Sequence, residues 1–377
     1  MIHYIRLAGL AVATSMAAGA FSQGVTPGAI VIGQSAPLSG SNKELGEEIR
    51  NGALAYFRKV NDAGGVHGRK IELVTLDDGN EVKRAGENTQ ALLEKRGVFA
   101  LFGYASATLS RPALPFVEQH KVPFLHPFTG ADPMRVFNRH VYNVRASYAD
   151  ELEKIVDHFA PLGVKRFAIV YYDDVVGREN FAAVDRALRK RSFEAVSSAA
   201  FKDRAKPDIE SGVKQIMQGA PDVVILTTLY KATADFIKLA HKSSFNAQMA
   251  SNSFPGASPL AKELGSDGAG VVVATVVPPY TQGALPIVAE YRAAMEKHSG
   301  NKEYSFTSLE SYIGAKVLVE GLRRTGARLT RESFMRALDG MSSYDTGGYF
   351  VSFSPDNHNG SSFVELTVIG KDGKFRH

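Results

Sequence analysis

No cysteine occurs among the 377 residues, which excludes disulfides, thiolate metal sites, a cysteine nucleophile and a lipidated N-terminal cysteine. A dense basic stripe is missing too. Lys and Arg number 44 against 39 Asp and Glu, and the steepest run, Arg189-Lys190-Arg191, reads as a solvated helix end rather than a phosphate-tracking surface, so nucleic acid is not an expected partner. Catalytic signatures are absent as well: there is no phosphate-cradling G-x-x-x-x-G-K-[ST] loop and no H-E-x-x-H pair. Gly33-Gln34-Ser35-Ala36-Pro37 fails the nucleophile-elbow pattern at its last position. The ten histidines include no pair at helical metal-ligand spacing, and the nearest to a cluster, His120, His126 and His140, read as satisfied or exposed rather than as a zinc site. Asp77-Asp78 and Asp173-Asp174 each follow a strand-like run. Neighbouring strand residues face opposite ways, so each pair reads as structural or capping. No metal, cofactor or catalytic residue is expected.

What is present is ordinary globular composition, 44% apolar and 22% charged with 35 Gly and 16 Pro, and enough length for two domains at roughly 100–200 residues each. Residues 1–22 read as a signal peptide, with Arg6 as the positive end and an uncharged apolar stretch over 7–20. Cleavage is expected after Ser22, with Ala20 as the alternative. The stretch is shorter than the roughly 20 apolar residues that span a bilayer, and no later segment reaches that length. The reading is a soluble, exported protein, not a lipoprotein, with a monomer as the expected state.

From residue 29 onward, short apolar runs alternate with amphipathic stretches of helix length. Strands are expected over 30–33, 71–76, 98–102 and 122–125, with helices over 44–62, 81–96 and 108–120. The pattern then restarts, with strands over 167–172, 195–201, 223–227 and 248–251 and helices over 178–191, 207–218 and 231–243. The last third reads as a strand over 270–277, helices over 284–299, 306–325 and 331–339, strands over 347–353 and 363–369, and a turn at Lys371-Asp372-Gly373. The fold class is therefore α/β: two similar Rossmann-like lobes, each a parallel sheet covered by helices. Ligands of such sheets sit beyond the carboxyl ends of the strands. Those ends are rich in Ser, Thr, Asn, Tyr and Gly, which suits a small polar molecule held between lobes.

Specific residues sharpen this. Ile32-Gly33-Gln34-Ser35-Ala36-Pro37-Leu38-Ser39-Gly40, then Asn61-Asp62-Ala63-Gly64-Gly65-Val66-His67-Gly68-Arg69, then Asp77-Asp78, Val122-Pro123-Phe124, His126-Pro127-Phe128-Thr129-Gly130, Asp173-Asp174 with Gly177, and Ser308 to Tyr312 follow one another in order. The ordered set resembles the type I periplasmic solute-binding proteins of the Leu/Ile/Val-binding kind, over essentially the whole chain past residue 22. The resemblance implies two lobes joined by three crossovers, near 143–147, 276–280 and 353–355. Lobe 1 would comprise 23–145 and 278–353, and lobe 2 would comprise 146–277 and 354–377. It also implies hinge closure on a ligand and delivery to the inner-membrane permease subunits of an ABC importer, with a sensor feeding a membrane receptor as the alternative role and an exported α/β hydrolase as a remote one.

Carried over by motif, the resemblance places a ligand carboxylate at the loop holding Ser106, Ala107 and Thr108, and hydroxyl and carbonyl groups at Phe128, Thr129 and Gly130. Second-lobe contacts would come from Tyr171 or Tyr172, from Leu229 or Tyr230, and from the loop at Ser251 and Asn252. Two positions depart from the family pattern: Val176 stands where an aromatic is usual, and Asn252 lies in the loop where amino-acid binders carry a glutamate. A buried ammonium needs a carboxylate, so an amino-acid ligand requires Glu310 or Asp174 in that role. An aromatic or short aliphatic carboxylate is the competing ligand.

Overall fold

A computed structural model of the chain describes residues 22–40, 42–281, 283–298 and 303–377; the expected signal segment, 1–22, lies outside them except for Ser22. Two sheets organise the structure. The first is built from β1 (Ala29–Ala36), β2 (Lys70–Asp77), β3 (Ala100–Phe102), β4 (Phe124–Leu125) and β5 (Val141–Tyr142), in the order β2-β1-β3-β4-β5. Every pair in it is parallel. Its crossover helices are α1 (Lys43–Asp62), α2 (Val82–Gln90), which runs on as a π turn over Ala91–Lys95, and the pair α3 (Ser106–Ser110) and α4 (Leu114–His120).

After β5 the chain enters α5 (Tyr148–Phe159) and the second unit. There β6 (Phe167–Tyr172), β7 (Ala195–Phe201), β8 (Val223–Leu226), β9 (Gln248–Ser251) and β10 (Val272–Thr275) alternate with α6 (Val175–Arg189), α7 (Ile209–Gln218), α8 (Tyr230–Lys242) and α9 (Ala257–Leu264). The four residues of β8, Val223 to Leu226, are all buried, as a strand covered on both faces requires. Next come α10 (Pro286–His298) and α11 (Phe306–Thr325), which pack on α1, and α12 (Arg331–Asp339), which packs on α11. A small hairpin, β11 (Tyr344–Asp345) with β12 (Phe350–Val351), follows. The chain ends in β13 (Glu365–Ile369) and β14 (Phe375–Arg376), which complete the second sheet in the order β14-β13-β10-β9-β8-β6-β7. The polypeptide thus passes between the two sheets three times.

The structure differs from the sequence reading in four places. The second sheet is mixed, because β13 runs antiparallel to β10 and β14 antiparallel to β13. The strand expected over 347–353 is only the two-residue β12, and it joins neither main sheet. Residues 357–360 stay beside β5, with the Asn143 N–H donating to the His358 carbonyl and the Gly360 N–H to the Asn143 carbonyl, so the third passage comes after Gly360, later than 353–355. Finally, β5, α5 and α9 were not anticipated, although Ser147 and Asp150 form a capping box at the start of α5, a recognisable start signal.

One close approach positions the site. Gly52 of α1 lies against the Ser308 carbonyl of α11, where an added Cβ would stand 2.1 Å from the oxygen. Nearby, the Ser311 hydroxyl donates to the Ile49 carbonyl at 2.6 Å. These contacts hold the first turns of α11, with Thr307 and Glu310, over the carboxyl edge of the first sheet.

Candidate functional site

A cavity of about 340 Å³ lies where the carboxyl ends of both sheets converge, at the lower end of the roughly 300–1,000 Å³ of ligand pockets. From the first sheet's side come Asn42, Asn80, Ser106, Thr108 and Phe128, each in a loop or helix start after a strand, and Phe306, Thr307 and Glu310 from α11. The second sheet's side contributes Arg204 after β7, Leu229 after β8, and Ser253 and Phe254 after β9. Arg145 and Tyr148 line it from the passage between the sheets. The β3 and β4 loops are fixed to each other because parallel pairing resumes past the strands: the Phe128 N–H donates to the Tyr104 carbonyl at 2.8 Å and the Ser106 N–H to the Phe128 carbonyl at 3.1 Å.

Arg145 is the electrostatic centre of the wall. It is 2% exposed, and a buried guanidinium persists only if paired. Its Nη2 donates to Glu151 Oε1 at 2.8 Å and to the Ser253 hydroxyl, while Nη1 stands 3.3 Å from Glu310 Oε1. Burial alone would lower its pKa, but Glu310 and Glu151 outweigh burial and hold it above the ordinary arginine value. Its guanidinium also sits 5.8 Å and 5.3 Å from the ring centres of Phe128 and Tyr148, within cation–π range. Burial raises Glu151 despite its pairing. Glu310, 5% exposed, is pushed up to about 7 by burial, with Arg145 opposing and Glu151 reinforcing the shift.

The sequence-expected residues divide. Ser106, Thr108, Phe128 and Glu310 come together at the cavity. Ala107 is packed in the first lobe's core. The Thr129 hydroxyl bonds instead to the Tyr148 hydroxyl at 3.4 Å and accepts from the Ala131 N–H at 3.2 Å. Gly130 abuts the backbone of Tyr148, with no room for a Cβ. Tyr171 packs beside Phe181, with ring centres 5.1 Å apart and planes tilted by 38°. Tyr172 lies under Arg204, 4.8 Å from ring centre to guanidinium carbon, and its hydroxyl accepts the Leu229 N–H. Tyr230 begins α8 and packs against the core. Asn252 is wholly buried with neither side-chain polar atom hydrogen-bonded; its neighbour Ser253 faces the cavity instead. Tyr230 and Asn252 thus each sit one residue from a lining position, an offset that turns a side chain to the other face of an extended segment.

The paired aspartates are structural, as read. Asp77 accepts from the N–H groups of Leu38 and Gly79 and from the Ser39 hydroxyl, and Asp78 accepts from the Ser35 hydroxyl. Asp174 caps α6 through the Gly177 N–H and pairs with Arg204 at 2.6 Å. Burial disfavours its charge, but these partners hold it below the usual carboxylate range. His126 departs from expectation. It is fully buried with neither ring nitrogen hydrogen-bonded, and burial followed by Arg145 drives it down to about 3, so it is neutral. Among the described residues no cluster of three or more His, Asp or Glu is placed to hold a metal ion.

Two sheets that present their strand ends to one shared cavity define a two-lobed solute-binding protein with the type I periplasmic binding protein fold. The chain belongs to the periplasmic binding protein family, which it matches over residues 29–374. It is 26% identical over 384 residues to Leu/Ile/Val-binding protein homolog 7 of Brucella abortus, covering 96% of this chain and 94% of that protein. The crystal structure of a possible leucine/isoleucine/valine-binding protein from Rhodopirellula baltica superposes with a TM-score of 0.86 at 30% identity, covering 93% of this chain and 97% of that one. A periplasmic substrate-binding protein from Ralstonia solanacearum gives 0.84 at 27% identity, covering 92% and 99%. Arg145, Tyr148, Ser253 and Phe254 escaped the sequence reading. A signal for Arg145 was present: a lone arginine between Val144 and Ala146, six residues before Glu151.

Proposed function

We propose that this solute-binding protein is the periplasmic receptor of an ABC importer, capturing an amino acid or a small carboxylate between its lobes and presenting the closed form to the permease subunits. The single observation that carries the reading is the cavity walled by charged and hydroxyl groups from both sheets, with Phe128, Phe254, Phe306 and Tyr148 as apolar surface. A solute touching both walls gains its full set of contacts only when the lobes close, so binding favours closure and the membrane partner reads lobe orientation. On this reading residues 1–22 direct export and are removed, and the mature protein acts as a soluble monomer. Ser106 and Thr108 serve the solute from one side, Arg204 and Ser253 from the other.

Thermal-shift screening against amino acids, carboxylates and sugars, followed by calorimetry on each hit, tests the reading. A ligand at 100 times its Kd stabilises the folded state by about 2.7 kcal/mol. Failure of every small solute to raise the melting temperature would refute it.

A further inference from the structure

The charges buried at the cavity wall do not cancel. Arg145 contributes one positive charge, and Glu151 and Glu310 each contribute a negative one when ionised, leaving one negative charge in excess. Glu151 is satisfied, its Oε1 by Arg145 at 2.8 Å and the Ser253 hydroxyl at 2.9 Å, its Oε2 by the Ser253 N–H at 2.6 Å. Glu310 is not. Its Oε1 lies 3.3 Å from Arg145 Nη1 but is not aligned for a hydrogen bond, and no other described group hydrogen-bonds to it. It is buried and lines the cavity.

Among the described residues the charges that act on Glu310 are Arg145 and Glu151, and Arg204, which also lines the cavity, is paired with Asp174. The groups around Glu310 are Arg145 from the passage after β5, Glu151 and Tyr148 from α5, Tyr349 from the β11–β12 hairpin, and neutral His126, whose ring touches Gly314 one turn along α11. The other acid near the cleft, Asp174, is occupied by Arg204 and the α6 N-terminus, and Asn252 lies outside the cavity lining. An unbalanced buried charge is expensive, and it can be relieved by a proton or by a cation brought with the solute.

Resting on the solute-receptor reading above, we propose that Glu310 receives a positively charged group of the solute, and that capture therefore fixes Glu310 as a carboxylate and releases the proton it otherwise holds. The sign of the pH dependence follows. A solute with an ammonium group binds more tightly as pH rises toward 7, because less work is needed to expel the proton, and its affinity levels off above. A solute of the same shape without the ammonium shows the opposite trend, since it favours protonated Glu310.

The test is calorimetry on the purified protein between pH 5.5 and 8.5 with matched pairs, L-leucine against 4-methylpentanoate and L-phenylalanine against 3-phenylpropanoate, alongside the twenty amino acids and a set of carboxylates. Measurement in phosphate and in Tris counts the protons exchanged. The expected result is an amino acid that binds at least tenfold tighter than its deaminated partner at pH 8 and releases about half a proton at pH 7. Glu310→Gln, with its fold checked by circular dichroism and melting, should lose both the preference and the proton release, and Glu310→Asp should keep the preference at lower affinity. A deaminated partner that binds as well as the amino acid, or proton release unchanged in Glu310→Gln, overturns the inference. So does tight binding of any uncharged or purely anionic solute in the cleft, which leaves the receptor reading intact. No binding by any solute of any charge overturns the receptor reading itself.

Discussion

Replacing Glu310 by Gln should make the unliganded protein more stable at alkaline pH, and by an amount that the buried charge dictates. The folded protein holds Glu310 at about 7 against an ordinary value of 4.5, chiefly through burial. A carboxyl whose pKa rises on folding contributes stability fully present below its unfolded pKa and lost as pH climbs through the folded one. The window is therefore pH 4.5 to 7. At 1.36 kcal/mol per pKa unit, the 2.5-unit rise destabilises the wild type by about 3 kcal/mol at pH 8 and by less than about 1 kcal/mol at pH 5. Gln carries no charge to desolvate, so Glu310→Gln removes the loss while Arg145 keeps its partner Glu151. Urea unfolding at pH 5 and pH 8 should show the variant near wild type at the lower pH and about 2–3 kcal/mol more stable at the higher. Equal stability at both pH values, or a variant less stable at pH 8, would refute the argument that the cavity wall carries an unbalanced charge.

Other perturbations follow from the same contacts. Arg145→Met leaves two buried carboxylates without their cation; a loss of about 3–5 kcal/mol at pH 8, shrinking toward pH 5 as both acids protonate, should appear in denaturant titrations at the two pH values. Gly52→Ala drives a methyl into the Ser308 carbonyl, so it should destabilise by about 1–3 kcal/mol and, by moving α11, weaken solute binding measured by calorimetry. Thr108→Ala removes a cavity hydroxyl and should weaken binding by about 1–3 kcal/mol, whereas Thr129→Ala, whose hydroxyl serves Tyr148 and Ala131, should change affinity less than it changes melting temperature.

The elements that spoke most clearly in the sequence are those whose local pattern suffices. β6, α11 and α12 fall at their expected limits because the continuous apolar run of β6 and caps such as Ser305 before α11 and Thr330 before α12 carry the information locally. β5 is two residues long and owes its existence to pairing with β4, a tertiary fact. α5 had its capping box and an amphipathic stretch, yet its neighbourhood was absorbed into the expected crossover at 143–147. The site was legible at the level of loops and not of side chains. Strand-end loops do line the cavity, but whether Asn252 or Ser253 faces it depends on backbone direction at the end of β9, and Arg145 finds Glu310 only through a fold that brings together residues 165 positions apart.

One small solute is expected between the two sheets' strand ends. A high-resolution crystal structure of the protein with the solute that stabilises it most tests this directly. The expected result is a single solute in the cavity, touching Thr108 or Glu310 on one side and Arg204 or Ser253 on the other. A solute seated elsewhere, for instance in the groove lined by Glu44, Glu47 and Lys262, or touching the loops of one sheet alone, would contradict it.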